Sequence, residues 1–172
     1  MSECRGAAKE SKVAYLLDTC VVSDIERGDR HPTLRAWWTA TAVDDIAVPV
    51  IALAEIRIGA NKQRAQGLVA DAERIDRWLR GVSLAFPIIP FDTRAALVWS
   101  DMTGVLPHDG TRSFERDIMI AATAIANGLT LATRNIRHFG PVADRFPDLV
   151  VFDPYQERFA DVVTGAGMPS AA

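Results

Sequence analysis

The sequence predicts an α/β fold in which a mainly parallel sheet is covered by helices on both faces. Two observations lead to this prediction. Short apolar runs of strand length alternate with longer segments in which apolar residues recur at helical spacing. The short runs are apolar enough for strands that are buried on both faces, as parallel strands usually are. With 172 residues, the chain is long enough for one domain with a sizeable core.

The first half of the chain is predicted to contain two strands and four helices. Gly28 ends the first helix and Pro32 starts the second, because glycine favours helix ends and proline favours the first helical turn. In chain order we predict a strand over residues 13–17, helices over 19–27 and 33–42, a strand over 46–48, a helix after Pro49 and a helix over 68–82.

The second half is predicted to contain three strands and two helices. Asp92 caps the first of these helices and Gly128 ends the second. No element is assigned between residues 133 and 149. In chain order we predict a strand over residues 88–91, a helix over 93–103, a loop over 104–112, a helix containing Asp117, and strands over 129–133 and 149–152.

Composition and charge limit the possible classes of function. We expect one folded domain over residues 13–155, with flexible tails over 1–12 and 156–172. Signal-peptide and transmembrane patterns are absent from the sequence, so we expect a cytoplasmic protein without membrane contact. The formal net charge of −3 argues against passive nucleic-acid binding but does not exclude a nuclease. The two cysteines form no zinc or disulfide motif, and Cys20 is interpreted as a buried small hydrophobe.

Three acidic residues border or interrupt apolar segments. Asp18 follows the first strand, Glu55 interrupts the apolar stripe of a helix, and Asp117 opens an apolar helix. Ionised carboxylates are costly to bury unless they are paired or bound to metal. Each acid therefore has two open interpretations, a structural ion pair with an arginine such as Arg57 or Arg116, or a divalent-cation site. Three such acids in one chain favour the cation site.

The donor types indicate which cation and which chemistry to expect. Oxygen ligands without histidine or cysteine suit Mg²⁺ or Mn²⁺, which can activate a water for attack on a phosphate. In parallel sheets such sites lie beyond the carboxyl ends of the strands. Asp18 and residues 133–135 are expected at that edge, whereas Asp117 joins them only if its helix starts there.

Four segments, each with a candidate site residue that is acidic or an amide, follow one another in a recognisable order. They are residues 16–25 with Asp18, 54–59 with Glu55, 117–124 with Asp117 and 131–139 with Asn135. Together they resemble the motifs of PIN domains, especially the VapC-type toxins of bacterial toxin–antitoxin pairs, and residues 150–155 resemble the closing segment of the FitB-like branch. The resemblance implies a PIN-like three-layer α/β/α fold with a central, mainly parallel five-stranded sheet.

The resemblance also implies a function. It indicates the toxin of a type II toxin–antitoxin system, a Mg²⁺- or Mn²⁺-dependent endoribonuclease that cleaves RNA phosphodiester bonds with a metal-activated water. A cognate antitoxin and RNA are the expected partners, and a homodimer is expected. Metal binding is carried over to Asp18, Glu55 and Asp117, and Asn135 completes the catalytic set.

Further site residues follow from the same resemblance. Thr19 and Ser23 are expected to shape the substrate site, with local helix capping as the alternative. Arg134 and Arg116 are expected to hold the RNA backbone, although Arg116 is also a candidate ion-pair partner of the neighbouring Asp117.

Two positions depart from the family pattern. Asn135 stands where members often have aspartate, so it keeps an oxygen acceptor but loses the charge and should bind metal less strongly. His138 also replaces an aspartate found in many members, and it is either an RNA phosphate contact or a surface residue at a helix end.

Three alternative functions remain in view. A catalytically weak PIN scaffold could act as a binding module, and the missing charge at Asn135 is compatible with this alternative. A free-standing metal-dependent nuclease would need no antitoxin. A Mg²⁺-dependent phosphatase or receiver-like domain usually groups its acids at the end of the first strand and has a lysine late in the fold. That class is disfavoured here, because Asp24 lies too far along the chain from Asp18 and no lysine follows Lys62.

Overall fold

The computed structural model describes residues 14–28, 31–106 and 112–160, without the side chains of residues 112 and 113. Within these ranges the chain forms one six-stranded sheet. Numbered along the chain, the strands are β1 (Tyr15–Leu17), β2 (Ile46–Pro49), β3 (Ile88–Ile89), β4 (Thr130–Ala132), β5 (Val151–Asp153) and β6 (Arg158–Phe159). They lie in the order β3-β2-β1-β4-β5-β6, and only the pairing of β5 with β6 is antiparallel.

Seven α-helices are found among the described residues, and none of them has the length and apolar character needed to span a membrane. In chain order they are α1 (Thr19–Arg27), α2 (Pro32–Ala40), α3 (Val50–Ala65), α4 (Val69–Ala85), α5 (Thr93–Val105), α6 (Arg112–Asn127) and α7 (Ile136–Arg145).

The strands bury alternate side chains in two apolar clusters, because successive strand residues point to opposite faces of a sheet. Leu16 and Leu131 pack with residues of α5, α6 and α7 on one face. Leu17 and Ala132 pack with residues of α1, α2, α3 and α4 on the other face. The predicted sheet with helices on both faces is therefore confirmed.

Three features of the strands and helices differ from the prediction. A sixth strand, β6, lies in the segment that was expected to be part of the C-terminal tail; two residues are too few to give a sequence pattern. Helix α7 occupies a segment to which no element was assigned. Helix α5 continues to Val105, so the predicted loop begins later, and residues 107–111 of that loop lie outside the described residues, as do residues 1–13 and 161–172.

The carboxyl edge of the sheet collects the predicted motifs. Asp18 follows β1 directly, and its backbone N–H donates to the carbonyl oxygen of Ala132 in β4 at 2.9 Å. Only Gly128 and Leu129 separate α6 from β4, and Gly128 has a φ of 62°, a left-handed conformation that glycine adopts readily after a helix. This tight connection turns the chain back, so α6 starts at the same edge and brings Asp117 to it.

Candidate active site

A polar cleft of about 460 Å³ opens at the carboxyl edge of the sheet. It is lined by Asp18, Thr19, Cys20, Ser23, Asp24, Arg27, Glu55, Asp117, Arg134 and Asn135. The structure therefore brings together all the site residues expected from the sequence except Arg116, which contacts Glu55 from α6.

Asp18 is held through both of its carboxylate oxygens and is 5% exposed. As the N-cap of α1, its Oδ1 accepts a hydrogen bond from the backbone N–H of Thr19 at 2.7 Å. Its Oδ2 accepts hydrogen bonds from Thr133 Oγ1 at 2.6 Å and from Cys20 Sγ at 3.0 Å. The same Thr133 oxygen accepts from the backbone N–H of Asn135 at 2.9 Å. One hydroxyl group thus connects the first and the fourth motif.

The Cys20 thiol is a hydrogen-bond donor to Asp18, and not only the apolar filler expected from the sequence. Burial, followed by the negative charge of Asp18, raises the pKa of Cys20 to about 12, because both effects disfavour the thiolate. A thiol that stays protonated at neutral pH is a poor nucleophile. Cys20 is therefore suited to holding Asp18 and not to covalent chemistry.

This hydrogen bond predicts slow thiol modification. At pH 8, native Cys20 should react with an aromatic disulfide reagent at least about tenfold more slowly than Cys20 in the unfolded chain. A Cys4→Ser variant leaves Cys20 as the single thiol, and the reaction is followed with and without urea. Equal rates in the two conditions would show that the fold does not protect this thiol.

Glu55 is also bound through both carboxylate oxygens. Thr19 Oγ1 donates to Oε2 at 2.5 Å, and the Arg116 guanidinium forms an ion pair with Oε1. The side chain of Glu55 is 16% exposed, so this pair is largely removed from solvent. Arg116 is thus a partner of Glu55 rather than of its neighbour Asp117, and its expected contact with RNA stays a prediction.

Asp117 contacts a histidine and has a raised pKa. Its Oδ2 lies 3.3 Å from His138 Nδ1, which gives His138 a contact inside the site. Burial raises the pKa of Asp117 to about 6; the hydrogen bond from His138 acts in the opposite direction, and the negative charges of Asp18 and Glu55 add to the increase. The carboxylates of Asp18 and Glu55 therefore lie close enough to Asp117 to repel it, although the three acids come from three separate segments.

The acids do not form a ready-made metal site. Within residues 14–28, 31–106 and 112–160, no three histidine, cysteine, aspartate or glutamate side chains are grouped closely enough to hold one ion. Glu55 is engaged by Arg116, and Asp117 by His138. Carboxylate oxygens, together with the amide oxygen of Asn135, are donors that suit a hard divalent cation. For Glu55 to bind such a cation, it would have to separate from Arg116.

Asp24 lies in the cleft, although its sequence context predicts no role for it there. It is 8% exposed, and its Oδ2 accepts hydrogen bonds from Arg134 at 3.0 Å and from the Tyr155 hydroxyl at 2.8 Å. The Arg134 guanidinium also lies 5.2 Å from the centre of the Tyr155 ring. Asp24 thereby fixes Arg134 at the cleft wall. The sequence signal that could have indicated a role for Asp24 is its position as an acidic residue among the apolar residues of α1.

Loss of the Asp24 charge should weaken the fold. We expect Asp24→Asn to lower the free energy of unfolding by about 1–3 kcal/mol, since Arg134 and Tyr155 lose a charged acceptor in a buried position. Urea denaturation measures the change, and the exposed Asp148→Asn is the matched control. An unchanged stability of Asp24→Asn would mean that solvent already screens this cluster.

A comparison with protein-family models matches residues 15–144 to the PIN domain. The match spans most of the chain and includes all four predicted motifs. The chain belongs to the PIN-domain family. The resemblance inferred from the motifs is thus confirmed.

The curated proteins to which this PIN domain is similar include two bacterial proteins. Toxin FitB of Neisseria gonorrhoeae is 29% identical over 146 residues, which cover 83% of this chain and 99% of the relative. VapC ribonuclease Y4jK of Sinorhizobium fredii is 29% identical over 135 residues, covering 72% of this chain and 89% of the relative.

Solved structures give the same fold. The crystal structure of FitAcB from Neisseria gonorrhoeae matches with 27% identity and a TM-score of 0.64, over 82% of this chain and 98% of that chain. DNA-bound VapBC from Salmonella typhimurium matches with 22% identity and a TM-score of 0.63, over 83% of this chain and 98% of that chain, and supports the fold alone.

Proposed function

We propose that this PIN-domain protein is a metal-dependent endoribonuclease and the toxin of a type II toxin–antitoxin system. One observation carries the proposal: Asp18, Glu55 and Asp117, which come from separate segments, line the same cleft as Asn135 beyond the carboxyl ends of β1 and β4. The similarity to proteins named toxin FitB and VapC ribonuclease supports both parts of it.

Asp18, Glu55 and Asp117 would hold Mg²⁺ or Mn²⁺, and Asn135 would add a neutral oxygen. When bound, the ion would lower the pKa of a water and stabilise negative charge on the phosphate. The raised pKa of Asp117, about 6, is consistent with this fit, because burial is its main cause and the negative charges of Asp18 and Glu55 add to it, and a bound cation would offset both effects. Glu55 would exchange its contact with Arg116 for the ion.

The other cleft residues would orient the acids and the RNA strand. The hydroxyl groups of Thr133 and Thr19 hold Asp18 and Glu55 through the hydrogen bonds described above. Arg134 and Arg27 line the cleft with 51% and 59% of their side chains exposed, and guanidinium groups bind phosphate oxygens well. These two residues are therefore the best candidates for holding the RNA backbone.

An antitoxin partner is the second part of the proposal. A groove of about 490 Å³ lies between α3 and α4, and its lining includes Val50, Leu53, Leu79 and Leu84. Leu84 is 89% exposed and Val50 is 38% exposed, so an amphipathic helix could bury its apolar face there. Similar solved structures include FitAB bound to IR36 DNA. A homodimer stays a prediction from the family resemblance.

The proposal is tested by expression and by cleavage in vitro. Induced expression of the chain should arrest bacterial growth, and co-expression of the small protein encoded beside its gene should restore growth. The purified chain, freed of that protein, should cut RNA with Mg²⁺ or Mn²⁺ and stop when EDTA is added. A chain that neither slows growth nor cuts RNA would contradict the proposal.

One observation favours a second candidate, the catalytically weak PIN scaffold. In the described residues each candidate metal ligand already has a protein partner, and Glu55 is neutralised by Arg116. A scaffold of this kind needs no cation. Titration with Mn²⁺, followed by the loss of the free-ion electron paramagnetic resonance signal, separates the two candidates: the nuclease binds the ion and the scaffold leaves it free.

A further inference from the structure

A smaller pocket of about 240 Å³ lies beside the cleft, between α1, α3 and α4. We call it the side pocket and define it by Ser23, Gly59, Gln63, Arg74, Ile75 and Trp78. Thr19, Ser23, Arg27 and Glu55 line both the side pocket and the cleft. A chemical group that belongs to an RNA strand bound in the cleft could therefore enter the side pocket, directly beside the acidic residues.

The side pocket combines an apolar wall with groups that form hydrogen bonds. Ile75 and Trp78, both half-buried, provide apolar surface. Arg74 and Glu26 also line the pocket and form an ion pair, in which the Glu26 side chain is 9% exposed. Gln63 Oε1 is buried and has no hydrogen-bond partner within the described residues. A buried acceptor without a donor is unfavourable, so Gln63 points to a ligand that donates a hydrogen bond.

We propose that the side pocket receives one unstacked nucleobase of the RNA, adjacent to the phosphate that is cleaved. This inference rests on the proposed ribonuclease function. A nucleobase has an apolar face for Trp78 and Ile75 and a polar edge for Gln63 and Arg74, and unpaired bases are commonly recognised in this way. The expected consequence is a base preference at one position of the cleavage site.

The other possible occupant is a segment of a protein partner, and the structure favours the base. The pocket is smaller than the groove between α3 and α4, which has the extended apolar lining that suits a helix. The side pocket is continuous with the acidic cleft and contains both members of an ion pair and an amide. These features match a small planar group with hydrogen-bonding edges better than an apolar helix face.

Gly59 offers a way to fill the pocket without disturbing the fold. It lies on the exposed side of α3, and a Cβ built there would meet no atom within 4 Å. Leucine also favours a helix more than glycine does. Gly59→Leu should therefore fold and project into the pocket. Gly81 in α4 has the same open surroundings but does not line the side pocket, so Gly81→Leu is the matched control.

The test measures base binding without requiring cleavage. The four nucleoside 3′,5′-bisphosphates and the base-free ribose bisphosphate are titrated, with Mg²⁺ present, into the ¹⁵N-labelled full chain and followed by NMR. At least one nucleoside bisphosphate should bind about tenfold more tightly than the base-free probe and should shift the side-chain signals of Gln63 and Trp78. Gly59→Leu should abolish that tenfold difference, and Gly81→Leu should retain it.

Three outcomes would overturn the proposal. The first is equal affinity for the base-free probe and all four nucleoside bisphosphates. The second is a Gly59→Leu variant that keeps the base preference. The third is a Gly59→Leu variant that loses only its complex with the neighbouring gene product, which would assign the pocket to a protein partner. Base binding by a chain that cuts no RNA would instead support the pocket and contradict the ribonuclease function.

Discussion

Neutralising any one of Asp18, Glu55 or Asp117 is expected to slow RNA cleavage at least about 100-fold, the loss typical when one electrostatic group is removed from an active site. Each carboxylate supplies charge that holds the cation, and the isosteric amide supplies none. The variants are Asp18→Asn, Glu55→Gln and Asp117→Asn, and kcat/KM on a single-stranded RNA is measured at saturating Mg²⁺.

Matched controls separate loss of chemistry from loss of structure. Asp148→Asn and Glu73→Gln make the same chemical changes at exposed positions and should cleave at the rate of the unmodified chain. Circular dichroism should show that all five variants are folded. A site variant that retains full activity would remove its residue from the catalytic set.

Asp117→Asn should also stabilise the metal-free protein at neutral pH, by about 1–3 kcal/mol. The folded-state pKa of Asp117, about 6, lies above its ordinary value of 3.8, so the ionised form is disfavoured in the fold. The stability of the unmodified chain should therefore fall as pH rises from about 4 to about 6, and the full penalty should be present at pH 7. Asparagine carries no such penalty.

Thermal melting in EDTA, at pH 4 and at pH 7, measures this effect. The variant should melt at a higher temperature than the unmodified chain at pH 7, and the difference should shrink towards pH 4. Added Mg²⁺ should raise the melting temperature of the unmodified chain more than that of the variant, since a ligand stabilises the state that binds it. A variant that melts at a lower temperature at pH 7 would mean that the contact with His138 stabilises the ionised Asp117 more than burial and repulsion destabilise it.

The parts of the fold that were predicted correctly have strong local signals. Helix α1 runs from Thr19 to Arg27 as expected, because a capping aspartate precedes it and Gly28, with a φ of 75°, follows it. The acids were identified because charge is rare in apolar segments. Such signals depend on a few neighbouring residues, so they can be read without knowledge of the tertiary structure.

Helix α7 was missed because its sequence contains two poor helix formers. Gly140 and Pro141 lie in its middle, and proline removes one backbone hydrogen bond from a helix interior. Tertiary packing compensates, since Phe139, Val142 and Ala143 are buried at helical spacing against the core. That compensation depends on residues far away in the chain.

The contacts inside the site were beyond prediction for a similar reason. The pairing of Glu55 with Arg116 joins residues from α3 and α6, and the contact between Asp24 and Arg134 joins α1 to the segment after β4. The sequence offered several arginines near the motifs, and only the fold selects which carboxylate each one meets.

The end groups of the cleaved RNA test the hydrolytic mechanism most directly. The partner-free chain is incubated with a 5′-labelled single-stranded RNA in Mg²⁺, with parallel reactions in EDTA and with Asp117→Asn. Attack by water on the phosphate with the 3′ oxygen as the leaving group predicts internal cuts that leave 5′-phosphate and 3′-hydroxyl ends, no cuts in EDTA, and at least about 100-fold slower cutting by the variant. Products that end in 2′,3′-cyclic phosphate, or cleavage that persists in EDTA, would contradict a carboxylate- and metal-dependent ribonuclease.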